Sequence, residues 1–79
     1  MNKINLGSGK SYLPGYINID TNEQWNPDIV CDLSVYIPSS LTLESFDEIK
    51  AIDVLEHIPD LVNLMTNLLQ LLKSGGCLN

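Results

Sequence analysis

Residues 3–9 constrain the fold of this chain more strongly than any other stretch. Apolar Ile4 and Leu6 alternate with polar residues, and the run then ends abruptly in Gly-Ser-Gly. Glycine has no Cβ and admits positive φ angles, so the pattern predicts a strand that leads into a loop where the backbone closely approaches another group. Ligands of open α/β sheets bind beyond the carboxyl ends of the strands. We therefore expect a ligand site here; an ordinary strand with a glycine-rich turn is the alternative.

Three later segments have the composition of short strands, at residues 16–20, 29–32 and 49–53. The first two end in Asp20 and Asp32. A carboxylate after the strand that follows a glycine loop can accept from both hydroxyls of a ribose, and a second carboxylate could accept from an exocyclic amine. Each aspartate could instead bind local backbone N–H groups. The pattern at three successive strand ends favours an adenosine-type ligand.

Residues 59–73 have the apolar spacing of a helix that packs on one face. Asp60 suits its N-terminus, Lys73 suits its last turn, and Gly75 or Gly76 would end it. Asn67 is expected on the solvent side, and Cys77 begins a fifth strand. The predicted apolar stripe consists of Leu61, Leu64, Met65, Leu68, Leu69 and Leu72.

Length and charge exclude several classes of function. The chain has 79 residues, enough for one domain, and a formal net charge of −6 with four lysines and no arginine. That charge disfavours nucleic acid and anionic membranes as partners, and no apolar run approaches the ~18 residues of a membrane span. Cys31 and Cys77 fit no metal-ligand spacing. We expect free thiols, no metal and a cytoplasmic protein.

The glycine loop is similar to two phosphate-binding sequence motifs but matches neither. A P-loop that ends in Gly9-Lys10-Ser11 would need glycine at position 4, where the chain has Ile4, and a helix directly afterwards, which Pro14 obstructs. The dinucleotide fingerprint fails at its third glycine, since position 12 is Tyr12. A P-loop-type nucleotide binder remains the less favoured alternative.

Four segments, in the right order, resemble class I S-adenosylmethionine-dependent methyltransferases. Residues 6–9 (LGSG) are similar to the first motif of that family, and residues 15–20 (GYINID) to its branch with a nearly absent first helix. Residues 53–59 (DVLEHIP) resemble the segment after strand four, and residues 72–76 (LKSGG) the turn before strand five. The resemblance implies a Rossmann-like α/β fold with a mostly parallel sheet of four to five strands and one main helix.

The resemblance also implies a small-molecule cofactor, S-adenosylmethionine, and a position for each part of it. Gly7, Ser8 and Gly9 would line the methionine part, and Asp20 would bind the ribose hydroxyls. Asp32 and the Leu33 backbone would contact the adenine, and Asp53 would lie near the amino end of the cofactor. His57 could deprotonate an acceptor hydroxyl, although a structural role between loop and helix is the favoured interpretation.

The family has a seven-stranded sheet, and this chain stops as strand five begins. We therefore expect residues 1–79 to be a single partial, truncated domain that holds the cofactor and shows little methyl transfer by itself, with the acceptor unidentified. A non-catalytic cofactor-binding or structural remnant is the alternative. One helix can cover only one face of the sheet, so we also expect a homodimer through the open face or the edge of strand five.

Overall fold

The computed structural model describes residues 2–51 and 58–79. These residues form one all-parallel sheet with the strand order β3-β2-β1-β4-β5 and a single α-helix, which confirms the α/β prediction and is compatible with a Rossmann-like fold. A short 3-10 helix, Glu23–Trp25, precedes β3. The elements are β1 (Lys3–Leu6), β2 (Ile17–Asp20), β3 (Ile29–Val30), β4 (Phe46–Lys50), α1 (Leu61–Leu71) and β5 (Leu72–Leu78).

The strand order places β1 in the middle of the sheet. The chain runs outward from β1 through β2 to β3 and then returns to the other side of β1 as β4. The order therefore reverses beside β1, at its carboxyl end. Such a reversal opens a crevice between the diverging connections, and this is where open parallel sheets bind ligands.

One face of the sheet is apolar and packs against α1. The pairing of Ile4 with both Ile17 and Ile49, and of Leu6 with Ile19, places branched side chains side by side on that face. Leu64, Leu68 and Leu71 of the helix complete this core. The buried apolar residues are Ile4, Leu6, Ile19, Cys31, Leu33, Leu41, Phe46, Ile49, Ala51, Leu64, Leu68 and Leu71.

The helix begins at Leu61, two residues later than predicted, and buries a narrower stripe. The Asp60 carboxylate accepts from the Asn63 backbone N–H at 3.1 Å and so caps the N-terminus. Leu61 and Leu69, both predicted to be buried, are exposed. At 3.6 residues per turn Leu69 lies about 140° around the helix from Leu64. Leu71 lies on nearly the same side of the helix as Leu64, and it is buried in the core instead of Leu69. Within the described ranges, no helix is long and apolar enough to cross a bilayer.

The predicted end of the helix was wrong. The chain turns extended at Leu72, and Lys73 lies in β5, where it forms an ion pair with Asp47. The two glycines serve the strand instead. Gly75 has φ +85°, and a Cβ on Gly76 would lie 2.8 Å from the Phe46 carbonyl oxygen, where β4 and β5 shift register.

Buried polar side chains hold the β1–β2 connection against the other face of the sheet. Asn5 and Asn18 are paired across β1 and β2, and Asn5 Nδ2 donates to Asn18 Oδ1 at 2.9 Å. The Leu13 backbone N–H donates to the same Asn18 oxygen at 2.9 Å, and Asn18 Nδ2 donates to the Leu13 carbonyl at 2.9 Å. Asn5 Nδ2 also donates to the Ser11 carbonyl at 2.9 Å. Residues 10–15 therefore lie on the sheet where other α/β folds place a helix.

Asp28 completes this network at the surface. Its Oδ2 accepts from the Asn18 backbone N–H at 2.7 Å, and its Oδ1 accepts from the Tyr12 hydroxyl at 2.7 Å. The Asn18 N–H, followed by the Tyr12 hydroxyl, holds the pKa of Asp28 below its ordinary value. The ionised form of the Asp28 carboxylate therefore stabilises the folded state.

The open part of this second face is polar. The Lys3 ammonium lies 4.5 Å from the centre of the Tyr16 ring, the Lys50 ammonium lies 5.4 Å from it, and the Tyr16 hydroxyl donates to Glu48 at 3.2 Å. Self-association through an apolar sheet face therefore lacks its physical basis. The homodimer itself stays a prediction, and the outer edge of β5 is the surface that still supports it.

We predict that Asn18→Ala destabilises the fold. The substitution leaves the Leu13 backbone groups and Asn5 Nδ2 without their buried partner. Each of these groups that water does not reach should lower the free energy of unfolding by about 1–3 kcal/mol. Urea unfolding at neutral pH measures the loss. Asn63→Ala, on the exposed side of the helix, is the matched control and should change the free energy of unfolding little. Equal effects of the two substitutions would contradict the role of the network.

We also predict a pH dependence from Asp28. Its pKa is lower in the folded state than the value of about 3.9 expected when unfolded, so its contribution is present above about pH 4 and is lost as the pH falls through the folded pKa. Tyr12→Phe should therefore lower the urea midpoint at about pH 6 and have a smaller effect at about pH 3. Tyr36→Phe, at an exposed tyrosine, is the control. A Tyr12→Phe effect that does not vary with pH would contradict the prediction.

Candidate functional site

A cavity of about 260 Å³ opens at the carboxyl ends of β1, β2 and β3. Asp20 and Asp32, the two aspartates predicted at strand ends, both line it, and so do Gly7 and Leu33. Parallel pairing explains the convergence, because strands that run in one direction bring their carboxyl ends to the same edge. The described lining residues are Leu6, Gly7, Asp20, Thr21, Cys31, Asp32, Leu33, Ile58 and Leu64.

Backbone donors fix the Asp20 carboxylate in orientation. Oδ2 accepts from the Gly9 N–H at 2.8 Å, and Oδ1 accepts from the Asn22 N–H at 2.8 Å. Each carboxylate oxygen has two lone-pair positions. One position on each oxygen thus remains for a ligand, and the pair is suited to two adjacent hydroxyl groups.

The Asp32 carboxylate is held on one side only. Its Oδ1 accepts from the Ser34 N–H at 2.9 Å and from the Ser34 hydroxyl at 2.6 Å. No described residue donates to its Oδ2. Asp32 therefore presents one unpartnered acceptor at the cavity, which suits an amine donor.

A helix side chain positions the loop after β3. Asn67 Nδ2 donates to the Leu33 carbonyl at 2.6 Å, so the prediction that Asn67 faces solvent was wrong. The amide points inward because the residues that leave β3 pass beside the helix. The bond holds the Leu33 backbone in place beside the cavity.

The backbone N–H groups of the glycine loop donate to other groups of the protein. Gly7 N–H and Ser8 N–H both donate to the Ile19 carbonyl, at 2.7 and 3.2 Å, and Gly9 N–H donates to Asp20. Gly7 and Gly9 have φ +65° and +49°, which explains the need for glycine. This geometry disfavours a P-loop, whose N–H groups must face a phosphate.

The predicted site residues are thus brought together in part. Gly7, Asp20, Asp32 and Leu33 border the cavity, whereas Ser8 and Gly9 are not among its described lining residues. Ser8 is buried, and its hydroxyl has no hydrogen-bond partner among the described residues. The predicted cofactor residue Asp53 and the catalytic candidate His57 lie outside the residues that the structure describes.

Five lining residues were missed by sequence reasoning: Leu6, Thr21, Cys31, Ile58 and Leu64. Leu6 precedes Gly7, and Thr21 and Cys31 directly neighbour the two aspartates; that adjacency is a signal that could have identified them. Ile58 precedes α1 and Leu64 lies near its start, and only the packing of the helix on the sheet brings them to the cavity.

Cys31 is the nucleophilic side chain in the cavity wall. Burial, and secondarily the negative charge of Asp32, raises the pKa of its thiol above the ordinary value. The thiol thus stays protonated near neutral pH and is a poor nucleophile. Within the described part of the chain, no three histidine, cysteine or acidic side chains are grouped so as to hold a metal ion.

Comparison of the chain with models of protein families, with curated proteins and with solved structures found no match.

We predict that the two cysteines differ in reactivity. Cys77 is exposed, whereas Cys31 is buried with a raised pKa. Iodoacetamide at mildly alkaline pH should therefore modify Cys77 first, and Cys31 only slowly. Mass spectrometry of peptides over a time course measures both rates, and the same reaction in denaturant is the control, where the rates should converge. Equal rates in the native protein would contradict the burial of Cys31.

Proposed function

We propose that this chain binds S-adenosylmethionine and acts as the cofactor-binding portion of a methyltransferase. The observation that carries the proposal is the convergence of Asp20 and Asp32, each with a free acceptor position, on one cavity at the carboxyl ends of three parallel strands. The motifs that resemble S-adenosylmethionine-dependent methyltransferases suggest the methyl transfer and the cofactor, and the shape and charge of the cavity support its nucleoside part.

The topology supports a nucleoside ligand. The strand order 3-2-1-4-5 is that of the dinucleotide-binding sheets through their first five strands, and the cavity lies where that order reverses. In such sheets, an acidic residue after the second strand binds the ribose hydroxyls. Asp20 is the last residue of β2 and occupies that place.

The polar atoms of the cavity fit the adenosine part. The two remaining lone-pair positions of Asp20 match a ribose diol, and the unpartnered Asp32 Oδ2 matches the exocyclic amine of adenine. The apolar wall suits the faces of the base. The volume of about 260 Å³ lies just under the ~300 Å³ at which drug-sized sites begin, which fits the nucleoside end of the cofactor. The wall residues are Leu6, Leu33, Ile58 and Leu64.

The chain would act by binding and orienting. When bound, the cofactor supplies an electrophilic methyl group on a positively charged sulfur. Alignment of two reactants can provide much of the acceleration of such a transfer without a dedicated acid or base. Asp20 would fix the ribose, and the carboxylates of Asp20 and Asp32 would favour a ligand with positive charge.

We predict that the chain binds S-adenosylmethionine and S-adenosylhomocysteine, and that Asp20→Ala weakens the binding. The loss of hydrogen bonds to a charged group should cost about 1.5–3 kcal/mol, or about 10- to 150-fold in Kd. Titration calorimetry measures the affinity.

Asp47→Asn is the control for that substitution. It removes an aspartate charge at the amino end of β4, away from the cavity, and should leave the Kd unchanged. Because Asp20 also anchors Gly9, thermal unfolding without ligand should show that the Asp20→Ala protein remains folded under the conditions of the titration. No binding of either compound by the unaltered chain would contradict the proposed function.

A further inference from the structure

Among the residues that the structure describes, the carboxyl-end cavity presents none of the three groups with which proteins ordinarily hold a phosphate. Those groups are free backbone N–H groups of a glycine loop, the N-terminus of a helix, and cationic side chains. The described N–H groups of the glycine loop and three of the four lysines contact other parts of the same chain, and the helix N-terminus carries a carboxylate cap.

The glycine loop has no N–H group left for a phosphate at its strand end. Three consecutive amides, those of Gly7, Ser8 and Gly9, donate to the Ile19 carbonyl and to the Asp20 carboxylate. A phosphate that recruited them would have to break those bonds and release the side chain that fixes the ribose in the proposed site. The loop therefore positions a carboxylate where nucleotide-binding loops hold an anion.

The N-terminus of the helix near the cavity already carries a carboxylate, which disfavours an anion there. Ile58 and Leu64 place the start of α1 at the cavity wall. The Asp60 carboxylate already occupies the N-terminus through the Asn63 N–H at 3.1 Å. An anionic ligand there would meet a negative charge at the position where a helix dipole otherwise attracts one.

The lysines lie elsewhere. Lys3 and Lys50 flank the Tyr16 ring on the polar sheet face, and Lys73 pairs with Asp47. Lys10 is exposed in the loop and is not among the described lining residues. The charged groups of the described cavity wall are thus two carboxylates and no cation.

We infer that the cavity selects nucleosides without a phosphate, whose 5′ substituent is neutral or positively charged, and that it rejects the corresponding nucleotides. The inference rests on the proposed function for the placement of a nucleoside, and it adds the class of ligand that the site excludes. Its cause is electrostatic. Any phosphate within a cavity of about 260 Å³ lies near Asp20 or Asp32, and the described wall offers it no compensating charge.

The test compares ligands that share adenine and ribose. Titration calorimetry of the 79-residue chain with adenosine, S-adenosylhomocysteine, AMP and ATP gives the four Kd values. We expect AMP to bind at least tenfold more weakly than adenosine. That ratio should narrow when the ionic strength rises from about 0.05 to about 0.5 M, because salt screens the repulsion.

Three variants locate the cause of the discrimination. Asp32→Asn removes one wall charge with little change in shape and should narrow the ratio of the AMP and adenosine affinities several-fold. Asp47→Asn removes the same charge from the amino end of β4, and Lys10→Ala removes the lysine of the glycine loop. Both should leave the ratio as it is. A ratio that moved equally in Asp32→Asn and Asp47→Asn would overturn the assignment to the cavity carboxylates.

The ligand series separates failure of this inference from failure of the proposed function. Equal binding of AMP and adenosine, together with binding of S-adenosylhomocysteine, would overturn the inference and leave the proposed function standing. Binding of adenosine alone would support the inference and overturn the proposed cofactor. Binding of AMP or ATP alone, or of none of the four compounds, would overturn both.

Discussion

The structure depends on the hydrogen bond between Asn5 and Asn18 across the first two strands. Parallel neighbours ordinarily need a crossover of a dozen or more residues, usually a helix. Here residues 7–16, ten in all, make the connection. Side-chain amides on the sheet replace the missing helix by binding the backbone of the loop, and Asp28 closes the network from outside. Without these bonds the loop would leave polar backbone groups buried against the sheet without partners.

The same short connection determines the chemistry of the cavity. Because the loop turns back directly over β2, its amides meet the Ile19 carbonyl and the Asp20 carboxylate instead of facing a ligand. A longer connection with a helix would have aimed those amides and a helix dipole into the crevice. The short connection thus leaves the carboxylates as the charged groups of the described cavity wall. The same connection links the stability of the fold to the charge of the site.

The polar face of the sheet shows how a fold with one helix can present its second side to water. Lys3, Glu48 and Lys50 lie beside Tyr16, with cations near the ring and a hydrogen bond to its hydroxyl. Strands covered on both faces tend to be continuously apolar, whereas those covered on one face alternate. Lys3, Glu48 and Lys50, on the open part of this face, thus reflect burial of β1 and β4 on one side.

The sequence by itself determined the α/β class, the first two strands, the start of the third, and the two aspartates Asp20 and Asp32. These features follow from local patterns, namely alternation, glycine punctuation and the periodicity of the helix, which neighbouring residues encode directly. Asp60 at the helix N-terminus belongs to the same group. The predicted third strand was too long, and the fourth and fifth strands begin earlier than predicted, at Phe46 and Leu72. The cofactor and the methyl transfer remain proposals, because resemblance of motifs supplied them and the geometry bears only on the shape and charge of the cavity.

Only the tertiary structure decided the rest. The pairing of β5 with β4 ends the helix at Leu71, and it leaves no room for a Cβ at Gly76. The local run of leucines could not reveal either feature. Packing angle, which periodicity does not specify, buried Leu71 and exposed Leu69. The internal use of the loop amides, the inward turn of Asn67 and the presence of Leu64 in the cavity wall all depend on contacts between residues far apart in sequence. Such contacts exist only once the sheet has formed.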